Sequence, residues 1–153
     1  MRCFIGSILS EEDQHKLAHL RSSFTDLAVR WVKPQKYHLT LEFLGDDVAY
    51  EDLEKHQVKL ELWQERFPIE CLATRLHGFP SPKRARVLVI LLHSEGRFEA
   101  LKPVQRSFLP HVTLGYSRRK TIVVPKLKAD VWITVPKPSL YLSKDGQYKQ
   151  LKI

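Results

Sequence analysis

The chain has 153 residues and a formal net charge of +8, and 43% of its residues are hydrophobic. This composition argues against an intrinsically disordered chain, and no apolar run approaches the roughly 18–20 residues that a membrane-spanning helix needs. We therefore expect residues 1–153 to form a single domain with its own core. Residues 1–9 are too short for a signal peptide, so we expect a cytoplasmic protein.

The positive charge is concentrated in the C-terminal part of the chain. Residues 118–153 contain nine Lys and Arg against two acidic residues, a net charge of +7, whereas the first 117 residues contribute only +1. This imbalance favours a polyanionic partner, most often nucleic acid. Solvated surface lysines would explain the same charge, so the partner stays open on charge alone.

Two helices and a weaker third are predicted in chain order. Ser10 is a suitable cap for a helix over residues 11–24, and residues 50–66 form the second. Residues 97–107 favour a short helix that Pro103 weakens. The residues predicted to face the core are Leu17, Leu20 and Phe24 in the first helix and Leu53, Leu60 and Trp63 in the second.

The remaining apolar segments are predicted to be strands. Short turns join several of them, which favours an α+β fold with a largely antiparallel sheet. The predicted strands cover residues 2–9, 28–32, 38–44, 69–77, 85–92, 111–116, 131–135, 139–143 and 147–152.

The same four-residue pattern occurs twice, at residues 38–41 (His-Leu-Thr-Leu) and 111–114 (His-Val-Thr-Leu). A chain of this composition would contain one His-x-Thr-Leu string roughly 0.04 times by chance, so a matched pair indicates a function. A single copy would be explained equally well by a histidine that bonds only to neighbouring backbone.

Alternation along a strand predicts that the histidine and threonine of each motif share a face, with the apolar residues on the other. On strict alternation the polar face also carries Glu42 and Gly115. Phe43 and Tyr116 are then predicted to point away from the histidines. Two such strands side by side would bring two imidazoles and two hydroxyls into one cleft.

This set of side chains suits the opening of a phosphodiester. The reaction needs a general base and a general acid, and histidine serves as either near neutral pH. Threonine hydroxyls donate hydrogen bonds to the non-bridging phosphate oxygens, where negative charge must be stabilised. We therefore predict that His38 and His111 are catalytic and that Thr40 and Thr113 bind the phosphate, with no metal and no cofactor.

The sequence resembles the two-histidine phosphoesterases, and more narrowly the bacterial and archaeal RNA 2′,3′-cyclic phosphodiesterases, also called 2′-5′ RNA ligases. The resemblance rests on residues 38–45 (His-Leu-Thr-Leu-Glu-Phe-Leu-Gly) and 110–115 (Pro-His-Val-Thr-Leu-Gly). Shorter matches occur at residues 2–6, 31–34 and 78–82.

The resemblance implies a bilobal α+β fold, in which two pseudo-symmetric antiparallel sheets form a central cleft with helices on the outer faces. It implies hydrolysis of a terminal 2′,3′-cyclic phosphate of RNA, tRNA fragments included, to a 2′-phosphate. His38 would protonate the leaving O3′ and His111 would activate water. Reversible 2′-5′ ligation of RNA ends is implied as well, and we expect a monomer.

Two features depart from the family pattern. Family members often have an arginine five positions after the second histidine, where this chain has Tyr116. We expect Arg118 or Arg119 to supply that cation to the phosphate. The stretch between the strand at 85–92 and His111 is also short, so we expect a trimmed second lobe.

Alternative functions stay open at this point. An enzyme acting on 2′-5′ oligonucleotides or small cyclic phosphates would use the same residues, and a non-catalytic RNA-binding module would keep only the fold. Basic residues at the cleft mouth are candidates for contacts with RNA phosphates, although each is also explained as ordinary surface. These are Lys33, Lys36, Lys83, Arg84 and Arg86.

Several aromatic and histidine residues have two possible roles. Phe43, Trp31 and Tyr37 are predicted to pack in the core, with base stacking as the alternative. His15 and His19 have the i, i+4 spacing of helical metal ligands. Because no third ligand accompanies them, we predict a solvated helix face.

Overall fold

The computed structural model describes residues 1–24, 26–101 and 108–152. In this part of the chain nine strands form one connected antiparallel sheet. The strands are β1 (Arg2–Ile8), β2 (Val29–Trp31), β3 (His38–Gly45), β4 (Ile69–Ser81), β5 (Arg84–His93), β6 (His111–Ser117), β7 (Lys128–Val135), β8 (Ser139–Lys144) and β9 (Gln147–Leu151). The predicted α+β class with antiparallel sheet is confirmed.

Two α-helices accompany the sheet, α1 (Glu11–Arg21) and α2 (Gln57–Gln64). Short 3₁₀ helices occur at Ser22–Phe24, Pro34–Lys36 and Tyr50–His56. None of the helices in the described ranges is long and apolar enough to cross a membrane.

The sheet consists of two lobes whose central strands share one backbone-paired residue pair. The strand order is β7-β4-β5-β6-β3-β1-β8-β9, and β2 pairs with β6 beside this path. The central strands β3 and β6 are joined in register only through Leu39 and Val112. Both side chains are fully buried, at 0% exposure. The two predicted sheets are thus continuous through a single contact at the centre of the molecule.

Helix α1 starts where the sequence predicts. The Ser10 hydroxyl accepts a hydrogen bond from the Asp13 backbone N–H at 3.3 Å, which satisfies one free donor of the first turn. Asp13 is itself buried, and its Oδ2 accepts a hydrogen bond from the Thr134 N–H at 2.9 Å. The cap and this bond attach α1 to the edge strand β7.

The core residues predicted on the helices are mostly confirmed. Leu17, Leu53, Leu60 and Trp63 are buried, whereas Leu20 and Phe24 are only partly buried against the core. The predicted helix over residues 50–66 is less regular than expected. Its first half is the 3₁₀ helix Tyr50–His56, and the α-helix begins only at Gln57.

Two further boundaries differ from the sequence prediction. Strand β4 continues through Pro80 to Ser81. Its pairing with β7 ends at Arg75, so the backbone nitrogen of Pro80 is not required to donate a hydrogen bond to β7. In the segment predicted as a helix over 97–107, residues 97–100 form turns and residue 101 a bend. Residues 102–107 lie outside the described residues.

The buried junction between the lobes should dominate stability. We expect Leu39→Ala to lower the free energy of unfolding by about 2–5 kcal/mol, because a cavity opens at a fully buried side chain between the central strands of the two lobes. The matched control is Leu62→Ala, at a side chain that is 52% exposed, which should change it by about 0.5 kcal/mol or less. Urea unfolding of the two variants measures the difference, and equal losses would contradict the assigned core.

Candidate active site

Both motif strands contain a β-bulge immediately after the threonine. In β3 the extra residue is Leu41, which falls between two successive pairs with β1. In β6 the extra residue is Leu114, which falls between two successive pairs with β5. A bulge sets two residues against one and so shifts the alternation of side chains by one position. In both strands the bulged residue is the leucine that ends the His-x-Thr-Leu motif.

The bulges overturn four predictions that strict alternation had given. Phe43 and Tyr116 line the same pocket as the motif threonines, with exposures of 48% and 41%. Glu42 instead forms an ion pair with Lys59 of α2. Gly115 is buried against β2, where an added Cβ would collide with a valine side chain. The sequence carried a signal for this arrangement, since an aromatic residue follows each histidine by five positions.

The pocket lies at the junction of the lobes and has a volume of about 280 Å³. Of the four predicted site residues, His38, Thr40 and Thr113 line it, whereas His111 is not among its lining residues. Counting outward from the Leu39–Val112 pair in an antiparallel register places His38 across from Thr113, and Thr40 across from His111. Each histidine therefore has the threonine of the other motif as its neighbour. The other lining residues are Arg2, Phe4, Val32, Lys36, Phe43, Tyr116, Ser143 and Tyr148.

The two imidazoles are oriented by the same local hydrogen bond. Nδ1 of His38 lies 2.8 Å from the Lys36 carbonyl oxygen, and Nδ1 of His111 lies 2.7 Å from the Leu109 carbonyl oxygen. A carbonyl oxygen only accepts, so Nδ1 carries the proton and donates it in both rings. Nε2 is then the nitrogen that exchanges a proton with a substrate. In the described ranges no hydrogen bond occupies either Nε2 atom.

Aromatic rings pack against both imidazoles. The His38 ring centroid is 5.0 Å from Phe4 and 5.0 Å from Tyr148. The His111 ring centroid is 5.0 Å from Phe79, at an interplanar angle of 70°. These contacts restrict the rotation of both rings and remove water from their faces. No sequence pattern predicted them, because the packing rings come from β1, β9 and β4.

The surroundings favour the neutral form of both histidines. Burial lowers the pKa of His38, and the positive charges of His111 and Lys36 lower it further, against the opposing effect of the Lys36 carbonyl. Burial also lowers the pKa of His111, with His77 adding to the shift and the Leu109 carbonyl opposing it. Each ring is therefore ready to accept a proton.

Of the cations in the pocket, Lys36 was predicted from the sequence and Arg2 was not. Arg2 and Lys36 line it, whereas Arg118 and Arg119 are exposed and do not. The Arg118 N–H donates to the Ala28 carbonyl, which fixes the backbone beyond the end of β6. A phosphate-binding role for Arg118 or Arg119 stays a prediction that this geometry does not favour.

An arginine lies over each of the two aromatic rings that the bulges bring to the pocket. The guanidinium carbon of Arg2 is 4.5 Å from the Phe43 ring centroid, and that of Arg30 is 5.4 Å from the Tyr116 centroid. Both distances are within cation–π range. Arg2 also pairs with Asp46. The two halves of the site therefore repeat the same histidine, threonine, aromatic ring and arginine.

The remaining candidates lie away from the pocket. Among the basic residues predicted at the cleft mouth only Lys36 lines it, and Lys33, Lys83, Arg84 and Arg86 do not. Tyr37 is fully buried and Trp31 packs against the core, as predicted.

The helical histidine pair lies on a solvated face. The Nε2 atom of His15 is 3.7 Å from Glu11, and this imidazole is 78% exposed. His19 is exposed as well. Within the part of the chain that the structure describes, no three His, Cys, Asp or Glu side chains are grouped as metal ligands.

Comparison with known proteins relates this site to named relatives. Residues 8–89 match the family model described as LigT-like phosphoesterase. This match includes the first motif and ends before the second. An RNA 2′,3′-cyclic phosphodiesterase of Aquifex aeolicus is 29% identical over 131 residues, which cover 74% of this chain and 69% of the relative.

Solved structures superimpose on nearly the whole chain. A protein of Thermus thermophilus superimposes with a TM-score of 0.79 at 22% identity, covering 99% of this chain and 96% of that one. The structure of E. coli LigT complexed with ATP superimposes with a TM-score of 0.71 at 26% identity, covering 99% and 94%. The family-model match ends before the second motif, whereas both superpositions cover nearly the whole chain.

The protonation state of the two histidines is open to direct measurement. In the free protein we expect both rings to titrate below their usual pKa of about 6.5, because burial disfavours the imidazolium. Inorganic phosphate should raise both pKa values, since a bound anion favours the charged form. Proton NMR of the ring signals, assigned with His38→Asn and His111→Asn, tests this. Titrations that phosphate leaves unchanged would argue against an anion site between them.

Proposed function

Because the chain belongs to the family of LigT-like phosphoesterases, we propose that it hydrolyses the terminal 2′,3′-cyclic phosphate of RNA to a 2′-phosphate. The proposal rests on the similar local environments of His38 and His111. Each ring donates Nδ1–H to a backbone carbonyl and keeps Nε2 available, across from the threonine of the other motif. The Aquifex aeolicus relative, an RNA 2′,3′-cyclic phosphodiesterase, supports this proposal.

The two imidazoles divide the proton transfers between them. Nε2 of His111 accepts a proton from water as the water oxygen attacks phosphorus. The bond between phosphorus and O3′ breaks, and Nε2–H of His38 gives its proton to O3′. A 2′-phosphate and a free 3′-hydroxyl result, and each transfer contributes typically 10²–10⁴-fold to the rate. The assignment of acid and base follows the family resemblance.

The lowered pKa values fit the two roles differently. A neutral His111 is the form that a general base requires. His38 must be protonated to act as an acid, and the negative charge of the bound phosphodiester supplies the needed stabilisation of its imidazolium. Binding of the substrate thus prepares the acid without charging the buried ring in the free protein.

Groups between the histidines would hold the phosphate. The hydroxyls of Thr40 and Thr113 would donate hydrogen bonds to the non-bridging oxygens, where charge develops during attack. Lys36 and Arg2 line the same pocket and would add positive charge. Tyr116, at the position where relatives often have arginine, offers a phenol hydroxyl as a donor instead. No step in this scheme needs a metal or an organic cofactor.

The terminal nucleoside would lie against the aromatic rings of the pocket. Phe43 and Tyr116 are both partly exposed there, and base stacking on an aromatic ring is tolerant of sequence. If a 5′-hydroxyl of a second RNA replaced the attacking water, the same acid and base would form a 2′-5′ linkage. Ligation would therefore be the same ring opening with a hydroxyl of RNA in place of water.

The product and the metal requirement test the reaction itself. We expect a short RNA with a cyclic terminal phosphate to be converted fully to a 2′-phosphate in excess EDTA, because only side chains move protons. Phosphorus NMR of the product identifies the ester position. A 3′-phosphate, or loss of activity that divalent ions restore, would contradict the mechanism.

The histidine roles are tested by substitution. We expect His38→Ala and His111→Ala each to lower kcat by at least about 10²-fold, since each removes one proton transfer. His93→Ala is the matched control, because His93 is exposed at the end of β5. Circular dichroism should show an unchanged fold in all three. Near-normal hydrolysis by either site variant would refute the two-histidine scheme.

A further inference from the structure

A second cavity lies on the second lobe, next to the part of β4 beyond its pairing with β7. Its volume is about 510 Å³. Three cations line it, Arg75, Lys126 and Lys128, together with the imidazole of His77. No carboxylate is among its lining residues in the described ranges. The rest of the wall is apolar and consists of Leu76, Pro82, Val124, Pro125 and Leu127.

Side-chain rings connect this cavity to the active site. The His77 ring centroid is 5.5 Å from Phe79, whose centroid is in turn 5.0 Å from His111. In the sheet His77 lies across from Val89, and Val89 lies across from Thr113. Two strand spacings, roughly 10 Å, therefore separate the cavity from the second motif. A few nucleotides of extended RNA cover this distance.

The lining has the two features that single-stranded RNA requires. An apolar wall with a ring face accepts a base by stacking, and a row of cations follows the phosphates. Burial and the adjacent Arg75 charge lower the pKa of His77, which keeps its ring neutral and favours stacking. Lys126 and Lys128 belong to the basic C-terminal region, whose charge the hydrolytic site does not use.

We propose that this cavity binds the nucleotides preceding the cyclic end of the RNA, with a base against His77 and phosphates at Arg75, Lys126 and Lys128. The inference rests on the proposed function, because it requires an RNA whose terminal phosphate lies between His38 and His111. The cavity would thus let the enzyme prefer an RNA chain over a mononucleotide.

Two substrates distinguish the contribution of the cavity from that of the catalytic site. Cytidine 2′,3′-cyclic phosphate reaches only the pocket at the histidines, whereas a five-nucleotide RNA with a cyclic end also reaches the cavity. We expect the double variant Lys126→Ala, Lys128→Ala to lose about tenfold in kcat/KM on the RNA, through KM, and to keep its rate on the mononucleotide. The salt dependence of RNA binding should weaken by roughly 0.7 in slope for each lost phosphate contact.

The matched control is the double variant Lys144→Ala, Lys149→Ala, which removes the same charge from the hairpin of β8 and β9. An equal loss on the RNA in both double variants would overturn the cavity, because net charge alone would then explain the effect. A parallel loss on the mononucleotide would also overturn it. If the unsubstituted protein hydrolyses neither substrate, the proposed function fails, and the inference fails with it.

Two further variants test whether a nucleobase stacks on His77. His77→Phe keeps a ring in the cavity and should retain the preference for the RNA, whereas His77→Ala should lower kcat/KM on the RNA about tenfold relative to the mononucleotide. Equal activity of these two variants on the RNA would contradict stacking at His77.

Discussion

The active site depends on one buried backbone contact between the lobes, the pair formed by Leu39 and Val112. Both side chains lie in the core. In each strand the preceding and following residues, which are the motif histidine and threonine, therefore project to the opposite face of the sheet. Antiparallel register then sets each motif histidine beside the threonine of the other strand. This pair therefore sets the register of the two motif strands relative to one another.

The leucine that ends each motif has a structural role that explains why it recurs in both copies. As the bulged residue it occupies an extra position in the strand, so the fifth residue after each histidine returns to the face of the pocket. Phe43 and Tyr116 reach the site for this reason. The motif therefore specifies both the proton-transfer groups and the rings that lie next to them.

Local patterns predicted the elements and the motif residues, since strand periodicity, the Ser10 cap and the repeated string are all properties of short segments. They failed where pairing with another strand decides the outcome. The orientation of Glu42 and Tyr116 depends on bulges that only the partner strands reveal. The cation Arg2 was missed for a related reason. A sheet brings distant residues together, whereas Arg118 and Arg119 were chosen for their closeness in sequence.

In the proposed reaction, the near-symmetry of the two motifs would let an acid and a base arise from one repeated pattern, and the asymmetry around them would give the substrate a single orientation. His38 is packed between Phe4 and Tyr148, with Lys36 nearby, in the lobe that contains β9. His111 instead contacts Phe79, which leads to His77 and the basic cavity. Two equivalent imidazoles would bind a cyclic phosphate in either orientation. The proposed chain-binding surface on one side alone would favour a single orientation, and that orientation would let one histidine act consistently as acid and the other as base.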